Sequence, residues 1–253
     1  MRLENSFIQI PQVGETTERR LWENGITDWR MDIDTAPIRP AAKSAIQAFA
    51  QEAAVELDAE NVHYFNERLP SKARWRLADS FDDRATALDI ETTGLDPTNS
   101  VVTTVSFTGP RGTRTLVRGQ DLTTERLAAE FDAVDFIITY NGARFDLPFL
   151  TEHFDIAIDV PHLDLLYPCR RAGLTGGLKA VEHELGIQRE LPDVDGRMAI
   201  RLWRQAERGD DTALSQLIRY NQEDTETLFP VLSEVTDVLD RQVFRPYIAS
   251  GTG

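Results

Sequence analysis

A short apolar run, Thr86–Glu91, constrains this chain more than any other stretch. It is bounded by charged residues before and by Thr-Thr-Gly after, the pattern of a buried strand. Within it, Asp89 and Glu91 stand at alternate positions and so point to one face. Two carboxylates side by side at the end of a core strand repel each other and are costly to bury. A cation that both can ligate removes that cost. A strand-end pair that simply faces water is the plainer reading of Asp-x-Glu taken alone.

Further elements emerge from patterning. Val101–Phe107 and Thr113–Arg118 are rich in β-formers and flank a Gly-Pro-Arg-Gly turn, which predicts a hairpin. Leu122–Phe131 has helical spacing, Asp135–Tyr140 reads as another apolar strand, and Phe145–Phe154 as a helix. His162–Leu166 is a short extended segment, followed by helices at Leu178–Leu185, Ala199–Arg208 and Thr212 to Val238, the last kinked or split at Pro230. A meander followed by strand–helix alternation predicts one mixed sheet covered by helices, an α/β fold. Before it, Glu15–Glu23 and Ala41–Leu57 carry helical patterns. The Pro- and Arg-rich stretch Leu69–Arg84 reads as a connector, giving a mostly helical region 1–80 and a main domain 84–248. Ile10–Glu15, ahead of a helix, resembles the hairpin of helix-hairpin-helix modules, but an ordinary helix start accounts for it as well.

The 253 residues are enough to bury a core, and 41% hydrophobic with 27% charged residues excludes a disordered chain or a fibre. No apolar run reaches the ~18 residues of a membrane span, and the first residues lack a signal-peptide pattern. The single cysteine, Cys169, forms no internal disulfide, so a reducing cytoplasm is expected. The charge is unusual: 42 acidic against 27 basic residues, a net of −15. Only Lys43, Lys72 and Lys179 are lysines. Such a charge opposes polyphosphate partners unless metal ions reverse it locally or high salt screens it. The acidic, lysine-poor composition resembles proteins of salt-in halophiles, haloarchaea among them; a GC-rich genome that favours arginine codons is the alternative.

Two further pieces join Asp89 and Glu91. In Tyr140–Leu150 a strand ends, a glycine turn comes next, and Asp146 lies in the first turn of the next helix. In Tyr220-Asn221-Gln222-Glu223-Asp224 the tyrosine and the aspartate are four apart and share a helix face. Singly, each reads as a helix-start acid or a core-edge tyrosine. As an ordered set, Asp89–Asp96, Tyr140–Leu150 and Tyr220–Asp224 resemble the three motifs of the DnaQ-like 3′–5′ exonucleases of the ribonuclease H-like superfamily, in the subgroup with tyrosine in the third motif. With His162–Leu166, Gly177–Glu182 and Leu185-Gly186-Ile187 between the second and third motifs, the chain is similar to the YprB-like branch. The likeness spans roughly Arg84–Val238.

The resemblance implies a ribonuclease H-like five-stranded mixed sheet flanked by helices. It implies two divalent cations, Mg²⁺ or Mn²⁺, held by Asp89, Glu91, Asp146 and Asp224, since oxygen-only ligands suit these ions better than zinc. Tyr220 would orient the attacking water or help take its proton, and a phenol pKa of about 10 favours orientation. Thr92, Thr93 and Gly94 would contact the terminal nucleotide, and Asn141 would contact substrate or brace its motif. The substrate would be a single-stranded DNA or RNA 3′ end. A non-catalytic nucleic-acid-binding scaffold and a structure-specific endonuclease of the same superfamily are the competing readings. His162 with Asp164 reads as a structural hydrogen-bonded pair, and Phe145 as core.

Overall fold

The computed structural model describes residues 1–248, which fall into two compact units. One comprises Met1–Asp82 together with residues 233–248; the other is Asp83–Leu232. The main-domain range expected from sequence, 84–248, runs past that second boundary, which falls inside a helix.

The first unit holds α1 (Glu15–Glu23), α2 (Pro40–Asp58), α3 (Val62–Arg68) and α4 (Ala78–Phe81). Pro40 opens α2, where its missing N–H leaves no intrahelical bond unmade. The stretch read as a connector is instead part of this unit's core. It forms a 3₁₀ segment, Ser71–Leu77, leading into α4, and Trp75, Leu77 and Phe81 are buried. Composition misleads here because Arg76, only 2% exposed, is neutralised by Glu18 far away in sequence, at 2.7 and 2.9 Å. Glu18 also accepts the amides of Phe7 and Ile8, so the turn before α1 is tied to a carboxylate of this same unit.

The second unit contains the sheet. Its strands are β1 (Ala85–Thr92), β2 (Val102–Gly109), β3 (Gly112–Val117), β4 (Phe136–Thr139) and β5 (His162–Asp164), in the order β3-β2-β1-β4-β5. β1 and β2 are antiparallel, as are β2 and β3; β4 and β5 run parallel to β1 and to each other. The helices are α5 (Thr124–Asp132), α6 (Asp146–Phe154), α7 (Leu166–Arg171), α8 (Leu178–Leu185), α9 (Gly196–Ala206) and α10 (Asp211–Glu226). α11 (Leu228–Val243) carries the boundary between the units, and α12 (Arg245–Ile248) comes after it. The long helix expected from Thr212 to Val238 is therefore two, with the break at Thr227 and Pro230 in the first turn of α11, where a missing N–H is tolerated. This is the five-stranded mixed sheet flanked by helices expected from sequence.

The core of this unit packs α5 and α6 against the sheet through Leu88, Val105, Phe107, Leu127, Phe131 and Phe149, with Phe145 beside them. A second apolar cluster joins α9 and α10 through Ala199, Leu202, Trp203, Leu217 and Tyr220.

Two details of the sheet set the geometry around its central carboxylates. β1 pairs with β4 only from Ala85 to Ala87, whereas its ladder with β2 continues to Thr92 with a register shift at Glu91/Thr92. The carboxylate end of β1 therefore lies open on the β4 side. The turn leaving β4 is also tight: a Cβ on Gly142 would lie 2.4 Å from Thr139 Oγ1 and 2.6 Å from its Cβ. Gly142→Ala should lower the stability of the chain by about 1–3 kcal/mol through this overlap, measured as a shift in denaturant midpoint. An unchanged midpoint would mean the turn relaxes freely.

Candidate active site

β1 places Asp89 and Glu91 on one face, as its period of two requires. α10 brings Asp224 to them. One carboxylate oxygen from each of Asp89, Glu91 and Asp224 can be chosen so that all lie within 4.8 Å of one another. Asp146 lies just outside this trio. It is 4% exposed, and its Oδ1 accepts the amide of Ile90 at 3.1 Å, between the two β1 carboxylates. That amide lies beyond the last pairing of β1 with β4, so the first turn of α6 completes hydrogen bonding where β4 has diverged. All four expected acids thus belong to one neighbourhood, three in mutual reach and the fourth bonded to the strand between two of them.

The cluster resists ionisation. Burial, then the charges of Asp224 and Asp146, push Asp89 and Glu91 well above the ordinary carboxylate range. Burial raises Asp146 to about 7 against the hydrogen bonds of backbone amides, and raises Asp224 to about 6. Arg189 holds Asp224 from going further.

Arg189 is the one residue that sequence reasoning did not single out and that the site most depends on. Its guanidinium is 5% exposed and meets three carboxylates: Glu182 at 2.9 Å, Glu223 at 3.3 Å, and Asp224 in close contact. It lies in the segment between α8 and α9, which has no periodicity to mark it. Burial disfavours its charge, but Asp224 and Glu182 outweigh that and raise its pKa. Asn221 was also passed over. Fully buried, it donates to Asp89 at 2.7 Å and accepts from Ser106 at 2.7 Å, fixing one Asp89 oxygen against β2.

Tyr220 is 6% exposed and hydrogen-bonds Asp224. Burial and then the Asp224 charge push its phenol far above its usual value. Lys179 Nζ and the Arg189 guanidinium lie 5.2 and 5.6 Å from its ring centroid, within cation–π range. Lys179, Glu182, His183, Ile187, Arg189 and Pro192 line an adjoining cavity of about 400 Å³.

The residues expected at the substrate lie where β1 and β4 end. Thr92 donates its hydroxyl to Gly94 O at 2.6 Å, and Thr93 bonds Val101 through both its amide and its hydroxyl oxygen. Both hydroxyls are thus engaged within the turn after β1. The next residue, Leu95, is 84% exposed. Asn141 has φ of 67°, and its amide donates to Asp164 at 2.7 Å. Asp164 also accepts the amides of Ala143 and Leu166, at 3.1 and 3.0 Å, so it holds the turn that leads into Asp146. His162 meets Thr139 Oγ1 at 2.8 Å. His162 thus bonds β4, and Asp164 the turn that follows it.

A family model described as RNase H superfamily matches residues 87–236. The chain belongs to the RNase H superfamily. Among curated proteins no match is found. Solved structures similar to this RNase H-like chain include the apo form of a nuclease, at 22% identity and a TM-score of 0.47, over 64% of this chain and 76% of that one. The family B DNA polymerase from the hyperthermophilic archaeon Pyrobaculum calidifontis is similar at 17% identity and a TM-score of 0.46, over 62% of this chain but only 24% of the polymerase. Brucella melitensis NrnC with bound Mg²⁺ is similar at 20% identity and a TM-score of 0.35, over 65% of this chain and 89% of that one.

The charge balance can be tested by mutation and by pH. Arg189→Met leaves Glu182, Glu223 and Asp224 buried without their cation, so stability should fall by about 3–5 kcal/mol. Added Mg²⁺ or Mn²⁺ should recover part of the loss in a thermal melt; a melt insensitive to both changes would show that the guanidinium is dispensable. The pH test concerns Asp146. It titrates at about 7 in the folded chain against an ordinary 3.8, so the folded state holds its proton longer than the unfolded one. Its ionisation opposes folding, and its contribution to stability is lost as pH rises towards about 7. The difference in melting temperature between metal-free wild type and Asp146→Asn should therefore change between about pH 5 and pH 8, the wild type losing relative stability at the higher pH. A constant difference would place the Asp146 pKa near its ordinary value.

Proposed function

We propose that this RNase H superfamily chain is a metal-dependent 3′–5′ exonuclease that hydrolyses phosphodiester bonds at single-stranded DNA or RNA ends. The observation that carries the reading is the close approach of Asp89, Glu91 and Asp224, half-buried to buried, with Asp146 beside them. Their mutual repulsion and their oxygen-only chemistry fit hard divalent cations, Mg²⁺ or Mn²⁺, two in number on the DnaQ-like reading. Asp89, Glu91, Asp146 and Asp224 would hold them. Bound there, the ions would polarise water and neutralise charge on the scissile phosphate.

The chain's own groups supply the rest. Asn221 sets the rotation of Asp89, and Asp164 shapes the turn from which Asp146 projects. Tyr220 keeps its proton at neutral pH, because burial pushes its phenol upward. It is therefore suited to orienting a water and not to taking its proton. The turn Thr92-Thr93-Gly94 and Asn141 would present the terminal nucleotide to the carboxylates. Exposed Leu95, four residues past Glu91, would add apolar contact with a base.

The three ordered motifs and the 177–187 segment support membership of the YprB-like branch. We take residues 84–248 as its nuclease domain and 1–80 as a helical appendage. The acidic, lysine-poor composition supports work at high salt in a haloarchaeal-type cytoplasm, and folding and turnover should then improve with added KCl. Among the described residues no helix is long and apolar enough to cross a membrane.

End-labelled single-stranded DNA and RNA, incubated with Mn²⁺, should release mononucleotides, and circular single strands should survive. Asp89→Asn and Asp224→Asn should each abolish release. Tyr220→Phe should slow it by roughly tenfold or more if the hydroxyl orients the water. Turnover unchanged in both aspartate variants would overturn the nuclease assignment. Cleavage of circles would select the endonuclease reading.

A further inference from the structure

Helix α9 carries a feature at odds with the acidity of the chain. Arg197, Arg201 and Arg204 lie on it, and Arg208 stands in the turn after it. Their spacing of four, three and four residues puts all four on one face. All are exposed. The opposite face, through Ala199, Leu202 and Trp203, is buried in the same apolar cluster as Tyr220.

Many arginines of this acidic chain are answered by carboxylates. Glu130 alone takes Arg111, Arg114 and Arg126. The arginines of the α9 face pair with no carboxylate within 4.0 Å among the described residues, although acids stand close in sequence. Two of those acids are otherwise engaged. Asp195 caps α9 by accepting the amide of Met198 at 2.8 Å. Asp210 caps α10 by accepting the amides of Thr212 and Ala213, each at 3.1 Å. Both turn their oxygens to backbone N–H groups; Asp195 stays charged and is felt by Arg197 and Arg201, but it makes no ion pair with either within 4.0 Å. Guanidinium pairs bidentately with phosphate oxygens, which makes an all-arginine face better suited to phosphates than a lysine one.

Position favours the same partner. α9 packs on α10, which carries Asp224, and touches β1, which carries Asp89 and Glu91. The arginine face is therefore about one helix diameter, roughly 10 Å, from the Tyr220 side of the site. From Arg197 to Arg208 it runs about 16 Å along the helix. That length is enough to meet several successive phosphates of one strand.

We propose that the exposed face formed by Arg197, Arg201, Arg204 and Arg208 binds the sugar–phosphate backbone of the nucleic acid whose end enters the carboxylate site. This rests on the proposed nuclease function and adds where the rest of the strand is held. The face gives a chain of net charge −15 a local means of retaining a polyanion. Because it contacts phosphates and no base edges, it is indifferent to sequence.

The test uses the full chain and a labelled single-stranded oligonucleotide, in DNA and RNA forms. Binding is followed by fluorescence anisotropy without divalent metal over a range of KCl. The quadruple variant Arg197→Gln, Arg201→Gln, Arg204→Gln, Arg208→Gln should bind more weakly. Its slope of log affinity against log salt should be shallower by about 3, at roughly 0.7 per lost contact on a single strand. The corresponding quadruple lysine variant should keep most of the slope, which a role confined to helix stability would not explain. Hydrolysis of a nitrophenyl ester of a mononucleotide, too short to reach α9, should be equal in wild type and the glutamine variant.

An equal slope and affinity in wild type and the folded glutamine variant would overturn the proposal. So would a change of oligomeric state in that variant with strand binding intact, because the face would then serve a second copy of the chain. The two readings fail separately. Arginine-dependent binding by a wild type that hydrolyses neither oligonucleotide nor ester sinks the nuclease assignment and leaves the backbone contact standing. Hydrolysis with arginine-independent binding does the reverse.

Discussion

The repulsion among four carboxylates, buried or half-buried, organises this half of the molecule. Asp89, Glu91, Asp146 and Asp224 come from a central strand and the helices around it, and none can leave without breaking the element that carries it. Folding therefore brings together charges that oppose one another. The chain meets this in two ways: burial raises the carboxylates toward neutrality, and Arg189 supplies one fixed positive charge to Asp224. Arg189 and Lys179 also favour the charge of Glu91, but burial and the neighbouring acids outweigh them, and Asp89 is eased by the Asn221 hydrogen bond. What remains is a group of hard oxygen donors with a deficit of positive charge, and that deficit is the physical basis of the cation binding proposed above.

The open end of β1 makes this arrangement reachable. Had β4 paired along the full length of β1, the Ile90 amide would belong to the ladder. Asp146 would then lose its place, because that amide is what it binds. The short parallel pairing and the bound carboxylate are two sides of one local choice. Asp164 then fixes the turn from behind through three backbone amides. Acids that look interchangeable in composition thus do different work. Asp164 is consumed by the backbone, Asp146 is partly so, and Asp89 keeps an oxygen free of Asn221.

How far this was legible in the sequence depends on the range of the interaction. Asp89 and Glu91 share a face because strands have a period of two, and Tyr220 and Asp224 because helices return every 3.6 residues. Both facts are local and both could be read. The convergence of the three motifs depends on strand order, a long-range property, and came from family resemblance instead. Arg189 sits in an aperiodic segment of a chain rich in arginine, so no local signal set it apart. The same limit explains the stretch 69–84. Its Pro and Arg content looked like a linker, yet Arg76 is buried because Glu18 waits for it across the first unit. Charge alone does not show whether a residue faces water; its partner does.

Net charge is a poor guide to this protein for the same reason. A total of −15 describes the far field, which salt reduces within about 8–10 Å at moderate ionic strength. Recognition happens at shorter range, where the arrangement of partners decides the sign. At Glu130 three arginines are absorbed by one acid and present little to a ligand. Along α9 the neighbouring aspartates remain charged but turn their oxygens to helix caps, and the arginines make no ion pair with them. Capping, ordinarily a matter of helix stability, here also decides which guanidiniums are tied into ion pairs. On the proposed reading, an acidic protein holds a polyanion through a local row of arginines that no carboxylate ties down, although the acids beside them keep their charge.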